Sequence, residues 1–328
     1  MNIHSCKRQV EIGGLLVRLP LEAELYRTRE STRIGKELQQ RIDIDGDDGG
    51  SRGSLLSGIE GEGTQPKVSF NSLVAAQTLL WYKKSQKLID EYMNEIAEIA
   101  NERGEIDPSK LEPQTESLLR MYLDSQETWQ EVGLVLERDG STGTATTVVI
   151  NRPMAFSASE SLARLILFGA SGAVSDKVPI YQTKELVRFL TAFDSGCAVY
   201  VGGPDKMEEA AMIIHGFAEL EGAEEISPGC GIFKGGLGDA MKGIMDGKYK
   251  PLDFRFFVGR YEYSNGDLDV AVHMSKYSPI ACARSLALKQ CIQLPKPLWH
   301  EVCELCGGEL REISKLELMK RNDIAFEE

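Results

Sequence analysis

The chain has 328 residues, a net charge of −13, 42% apolar residues and 27% charged ones. That mixture can bury a substantial core in one large domain or two, while its acidity opposes phosphate backbones, so direct nucleic-acid binding is not expected. No apolar run approaches the roughly 18 residues that cross a bilayer, no secretory or transit leader is legible, and seven irregularly spaced cysteines read as free thiols in a reducing compartment, the cytoplasm.

Residues 1–66 read as an acidic, largely disordered extension. The stretch Asp43–Gly63, dense in glycine and acid and without aromatics, lacks the apolar surface to offset its ordering entropy. Aspartates 43, 45 and 47 resemble the start of a calcium loop, but Asp48 and Ser54 stand where that loop needs glycine and a bidentate glutamate. Residues 67–127 form a helical extension: Leu73, Leu80, Trp81, Leu88, Tyr92, Ile96 and Ile99 recur at helical spacing between Ser72 and Asn101. Asp107 and Pro108 break the pattern before a shorter helix over Leu111–Leu123.

From Thr128 the texture becomes β-branched and alternating, and residues 128–310 read as one domain, followed by a charged tail at 311–328. Two strands flank a turn at Asp139 and Gly140. Ser157 or Ser159 caps a helix ending at Gly169, and Thr183 caps another. Further strands are expected at Ala198–Val201, Met212–Phe217, near Ile232 and at Asp253–Tyr261. Lys234, Lys242, Lys248, Lys250, Arg255 and Arg260 form a locally basic interval, read as a solvated face.

The stretch YVGGPDKMEEAAMIIHGF poses the functional question. Gly202 and Gly203 match neither phosphate-cradle pattern, and Pro204 has no N–H to donate. Strand, turn, strand is the favoured reading; the alternative is a helix starting at Lys206 behind the capping-box spacing of Asp205 and Glu208. His215 has no recognisable nucleophile beside it and reads as a core or turn histidine. Asn151 and Arg152 close a strand before Pro153 and, with Gly202, Gly203 and His215, make the candidate ligand surface. His300, Cys303 and Cys306 share a helix face and are weak metal candidates, because a zinc site would need Cys282 or Cys291 to fold back as fourth ligand. No catalytic residue and no cofactor is assigned.

GLVLERDGSTGTATTVVINRP, VYVGGPD followed by IIHG, EEISPGCGIFKGG and FRFFVGRYEYSNGDLD together resemble the AlgH/YqgE family, whose members carry the label of transcriptional regulator without an established activity. The resemblance spans Glu131 to about Cys291. It implies an α+β fold, a mixed β-sheet or partly closed barrel flanked by helices, here preceded by the helical extension, with the GGP segment ending one strand and the histidine in the next. The family's GYAGW and GQLE segments are replaced by residues 259–263 and 266–269. The strand that normally opens the core before Gly133 is read as replaced by the helical region. The implied role is a binding or regulatory protein acting through a protein partner, with a small-molecule or nucleotide enzyme using Arg152 and His215 as the alternative. Family members in plastid-bearing organisms make the plastid stroma the alternative location.

Overall fold

The structure, a computed structural model, describes residues 9–27, 73–101, 103–107, 110–174, 180–291 and 294–320. The expected linker Asp43–Gly63 lies outside them. In chain order the elements are β1 (Leu15–Arg18), α1 (Leu21–Arg27), α2 (Leu73–Ile99), α3 (Pro113–Glu127), β2 (Val132–Asp139), β3 (Thr144–Val149), β4 (Pro153–Ala155), α4 (Glu160–Val174), α5 (Ile180–Ala192), β5 (Ala198–Val201), β6 (Met212–His215), β7 (Ala223–Glu225), β8 (Phe233–Gly235), α6 (Leu237–Met245), β9 (Arg255–Val258), β10 (Tyr261–Tyr263), α7 (Asp267–His273), β11 (Tyr277–Ile280), α8 (Arg284–Ala287), α9 (Leu298–Cys306) and α10 (Gly308–Met319). The chain divides into two compact units. Among the described residues no helix is long and apolar enough to cross a membrane.

One unit takes the residues up to Arg18, Gln130–His273 and Tyr277–Trp299. It is α+β, built on a five-stranded sheet ordered β10-β3-β2-β1-β11 and a six-stranded sheet ordered β4-β5-β9-β6-β8-β7. Neither sheet closes into a barrel. Among the described residues only the β5–β9 pair is parallel; every other pair is antiparallel. The β2–β3 hairpin forms where Asp139 and Gly140 predict a turn. The Asp139 carboxylate accepts from the Ser141 N–H (2.8 Å) and hydroxyl (2.6 Å), and these bonds hold it below the usual carboxylate range.

The opening strand is not replaced. Leu15–Arg18 supplies it from far upstream, Val17 pairing with Val132 and with Ser278. All four residues are buried, and Trp299 donates its indole N–H to the Arg18 carbonyl at 2.8 Å. The expected disordered extension therefore contains core. Four residues with arginine among them give too short a pattern to announce a strand; burial between two neighbours makes it one.

Helices α4 and α5 cover the six-stranded sheet with a core centred on aromatic rings. Phe256 meets Phe189 edge-on at 5.3 Å and Phe193 at 5.0 Å between centroids, the geometry that ring quadrupoles favour. Ser159 accepts from the Leu162 N–H at 3.3 Å, as a cap should. Gly169 ends the first helical run of α4, as expected, and a second run follows across the kink to Val174: the glycine's φ is 69°, and a Cβ there would lie 2.1 Å from the Glu208 carbonyl oxygen. Thr183 lies inside α5, which starts at Ile180.

The other unit takes Leu19–Trp129, Met274–Lys276 and the chain from His300. In α2 the buried face runs through Ala75, Thr78, Leu79, Trp81, Tyr82, Ser85, Leu88, Ile89 and Ile96, whereas Leu73 is exposed. Thr78 and Ser85 are buried at low cost because their hydroxyls bond back to the carbonyls of Val74 (2.7 Å) and Trp81 (2.8 Å). Tyr26 of α1 stacks on Trp81 at 4.7 Å with planes 5° apart. The expected charged tail from 311 is instead largely helix α10, which buries Ile313 and Leu316 together with Glu312 and Glu317.

Because β1 lies between β2 and β11, a fragment spanning only residues 118–311 is expected to lack a stable tertiary structure. Circular dichroism and amide NMR dispersion of that fragment, against the full chain, check this; a dispersed, cooperatively melting fragment would contradict it.

Candidate functional site

The diglycine segment is a junction between backbones. The Gly202 N–H donates to the Val258 carbonyl at 2.8 Å, and the Gly202 carbonyl accepts from the Val149 N–H at 2.8 Å, so one residue bonds to strands of both sheets. Asp205 and Arg260 exchange two backbone bonds of 2.9 Å. A Cβ on Gly202 would sit 2.3 Å from the Gly259 oxygen, and one on Gly203 would sit 2.4 Å from the Arg260 carbonyl carbon. Only glycine fits such contacts. No helix follows Pro204; the chain turns and enters β6 at Met212. The close approach is filled by protein backbone, not by a phosphate-sized hollow.

Asn151 braces this region. Its side-chain oxygen accepts from the Val132 N–H at 2.8 Å and its amide donates to the Gln130 carbonyl at 2.8 Å. Arg152 follows on the surface side, its carbonyl accepting from the Val201 N–H at 3.0 Å. Asn151, Arg152, Gly202 and Gly203 thus gather at one end of the strands.

His215 does not join them. Val201 pairs with Val258 while Ile214 pairs with Arg255, so Gly202 and His215 lie opposite positions five residues apart on β9, about 17 Å along the strands and about 10 Å across them. Its ring is fully buried among Phe217, Phe233 and Phe254. Nδ1 accepts from the Phe217 N–H at 3.2 Å, which places the proton on Nε2, 3.1 Å from the Gly235 carbonyl. Both nitrogens are engaged, and burial lowers the pKa from its ordinary value.

His300 and Cys303 are buried and Cys306 is exposed. His300 Nδ1 lies 2.9 Å from the Ser314 hydroxyl. Burial raises both thiols, away from the thiolate that binds metal. Cys282 and Cys291 lie near the carbonyls of Gly13 (3.7 Å) and Ile150 (3.1 Å). Among the described residues no three His, Cys, Asp or Glu side chains are placed to hold a metal, and all six cysteines are free.

The basic interval is not one surface. Lys234 pairs with Glu137 and Glu224, Lys248 with Glu219, and Arg260 with Glu209 and Glu262. Arg255 is buried in β9, and its Nε has no hydrogen-bond partner among the described residues. On the same sheet face Tyr200 stacks on Phe257 at 5.3 Å and donates to Gln290 at 2.7 Å; burial pushes its hydroxyl up to about 12. Nothing in the local sequence separates this arginine from its solvated neighbours; only the alternation Phe254, Arg255, Phe256, Phe257 hints that it lies in a strand buried on both faces.

A family model described as AlgH-like matches residues 118–311, more than half of the chain. The chain belongs to the AlgH-like family. Among solved structures, the AlgH protein from Pseudomonas aeruginosa is similar at 16% identity and a TM-score of 0.34, over 51% of this chain and 75% of its own. A Corynebacterium diphtheriae protein is similar at 13% identity and a TM-score of 0.37, over 56% of this chain and 82% of its own. A search of curated proteins finds no match. In this AlgH-like chain the segment departing from the family's aromatic-rich motif forms β10, where Tyr261 and Tyr263 stack at 6.0 Å. The Tyr261 hydroxyl lies 3.4 Å from buried Glu131.

Gly203→Ala is expected to cost about 3 kcal/mol or more, whereas Gly238→Ala, in α6 where a Cβ meets nothing within 4 Å, is expected to gain about 0.5–1 kcal/mol; urea unfolding checks both. Because the folded pKa of His215 lies below its unfolded value, its contribution is complete above pH 6.5 and is lost as pH falls from there toward the folded value. His215→Gln should flatten the stability slope below pH 6.5 by up to about 1.4 kcal/mol per pH unit, measured by urea titration between pH 7 and 5.

Proposed function

We propose that this AlgH-like protein is a non-enzymatic binding or regulatory protein that acts through a protein partner. The observation that carries this reading is the state of His215: both ring nitrogens are bonded within the fold, and its burial among phenylalanines leaves no base facing a ligand. A nucleotide enzyme built on Arg152 and His215 is disfavoured by the strand register, which holds them apart. Direct DNA recognition is disfavoured by the acidity and by the carboxylates paired with Lys234, Lys248 and Arg260. The edge strand beside Arg152 supports a protein contact: among the described residues β4 pairs only with β5, and Met154 and Phe156 are 43% and 44% exposed there. The free thiols suit a reducing compartment, the cytoplasm or the plastid stroma.

A thermal-shift panel of nucleotides and metabolites, a DNA titration across salt concentrations and crosslinking in a cell extract test this reading together. The expected result is no ligand stabilisation, no steep salt dependence, and a crosslinked partner that the Met154→Glu, Phe156→Glu double variant loses with its melting temperature unchanged. Stabilisation of about 2.7 kcal/mol at a hundredfold excess over Kd, or DNA affinity falling steeply with salt, would overturn it.

A further inference from the structure

The helical unit holds a buried ion cluster with unequal charge. Lys320 reaches Glu22 at 2.5 Å and Glu317 at 3.1 Å, and the Tyr82 hydroxyl donates to Glu317. The carboxylate side chains are 8% and 3% exposed, so two desolvated anions share one ammonium. A buried carboxylate that is incompletely compensated is expensive. Its signature is present: burial raises the pKa of Glu22 despite the opposing charge of Lys320.

A cavity of about 340 Å³ opens beside the cluster, wholly within this unit, with Glu22, Glu317 and Lys320 in its wall. That volume lies at the small end of ligand pockets. Asp90 adds a third carboxylate to the lining, exposed and bonded to no described residue. Tyr122 and Trp129 contribute aromatic rings, and Gln86, Ser125 and Gln126 contribute oxygens that accept N–H donors. Three anions against one cation reject a carboxylate or phosphate and attract positive charge.

We propose that this cavity binds a small organic cation, a primary amine or guanidinium on a short carbon body, whose charge completes the Glu22–Lys320–Glu317 cluster. The ammonium or guanidinium lies against Glu22 and Asp90, and its carbon body packs on Trp129 and Tyr122. This site is independent of the partner contact proposed for the edge strand. Loss of one therefore leaves the other intact.

Putrescine and agmatine titrated into the full chain at physiological ionic strength, with glutarate as anionic control, test the proposal. Readouts are calorimetry and tryptophan fluorescence, Trp129 being partly exposed whereas Trp81 and Trp299 are buried. At least one cation should saturate at one site per chain, with no response to glutarate. Glu22→Gln should fold, since it removes the excess buried charge, and should weaken binding at least tenfold. Asp90→Asn, at an exposed position, should weaken it about threefold and keeps the test decisive if Glu22→Gln does not fold. Glu95→Gln removes the same formal charge from an exposed site on α2 outside the cavity and should bind like wild type. No saturable binding at millimolar cation, equal binding by wild type and Asp90→Asn, or equal weakening by Glu95→Gln would overturn the proposal.

Discussion

The mixed fold depends on one contact between main chains, the meeting of Gly202 and Gly203 with Gly259 and Arg260. Strands β5 and β9 leave the six-stranded sheet at this point, and β9 continues through Gly259 into β10 of the five-stranded sheet. Any side chain here would hold the two backbones apart, break the bonds from Gly202 to Val258 and Val149, and uncouple the sheets. The absence of side chains at the glycines is therefore a packing requirement, and the surrounding polar residues serve the same join. Asn151 locks the end of β3 to the start of β2 through two 2.8 Å bonds, and the Asp205 carboxylate accepts from the Glu262 N–H at 2.9 Å.

Residues that would suggest chemistry on paper are thus committed to structure in this core. His215 ties β6 to the end of β8 and to its own following turn. Burial pushes the Tyr263 hydroxyl up to about 12 and the Tyr277 hydroxyl well above its ordinary value. The helical unit differs. Its buried charges do not balance, and they border open space instead of backbone.

How much of this was legible in the sequence follows from how local each signal is. The β2–β3 hairpin, the diglycine turn between strands and the helical run through Trp81 and Leu88 are set by neighbouring residues, and each can be read from alternation, turn chemistry or period. Leu15–Arg18 was hidden because a four-residue strand has no period of its own and its partners lie more than a hundred residues away. Helix α10 looked like a solvated tail because Glu312 and Glu317 read as surface; in the fold Lys315 pairs with the first, and the second is buried against Lys320 and Tyr82. Arg255 looked like part of a basic face for the same reason: burial is decided by what packs above a residue, which the residue itself does not encode. The gathering of Asn151, Arg152 and the glycines was legible from the family pattern, whereas the distance to His215 depends on strand register.

The position of β1 also governs the order of assembly. During translation Leu15–Arg18 leaves the ribosome before either strand that flanks it, and the last of them, Tyr277–Ile280, follows after some 10–50 s at ordinary elongation rates. For that interval an apolar amino-terminal segment has no sheet to enter. Helices α1 to α3 emerge before β2, but α10, which belongs to the same unit, emerges after β11, so neither unit is complete until the carboxy-terminal segments have left the ribosome, and until then a chaperone would have most to shield.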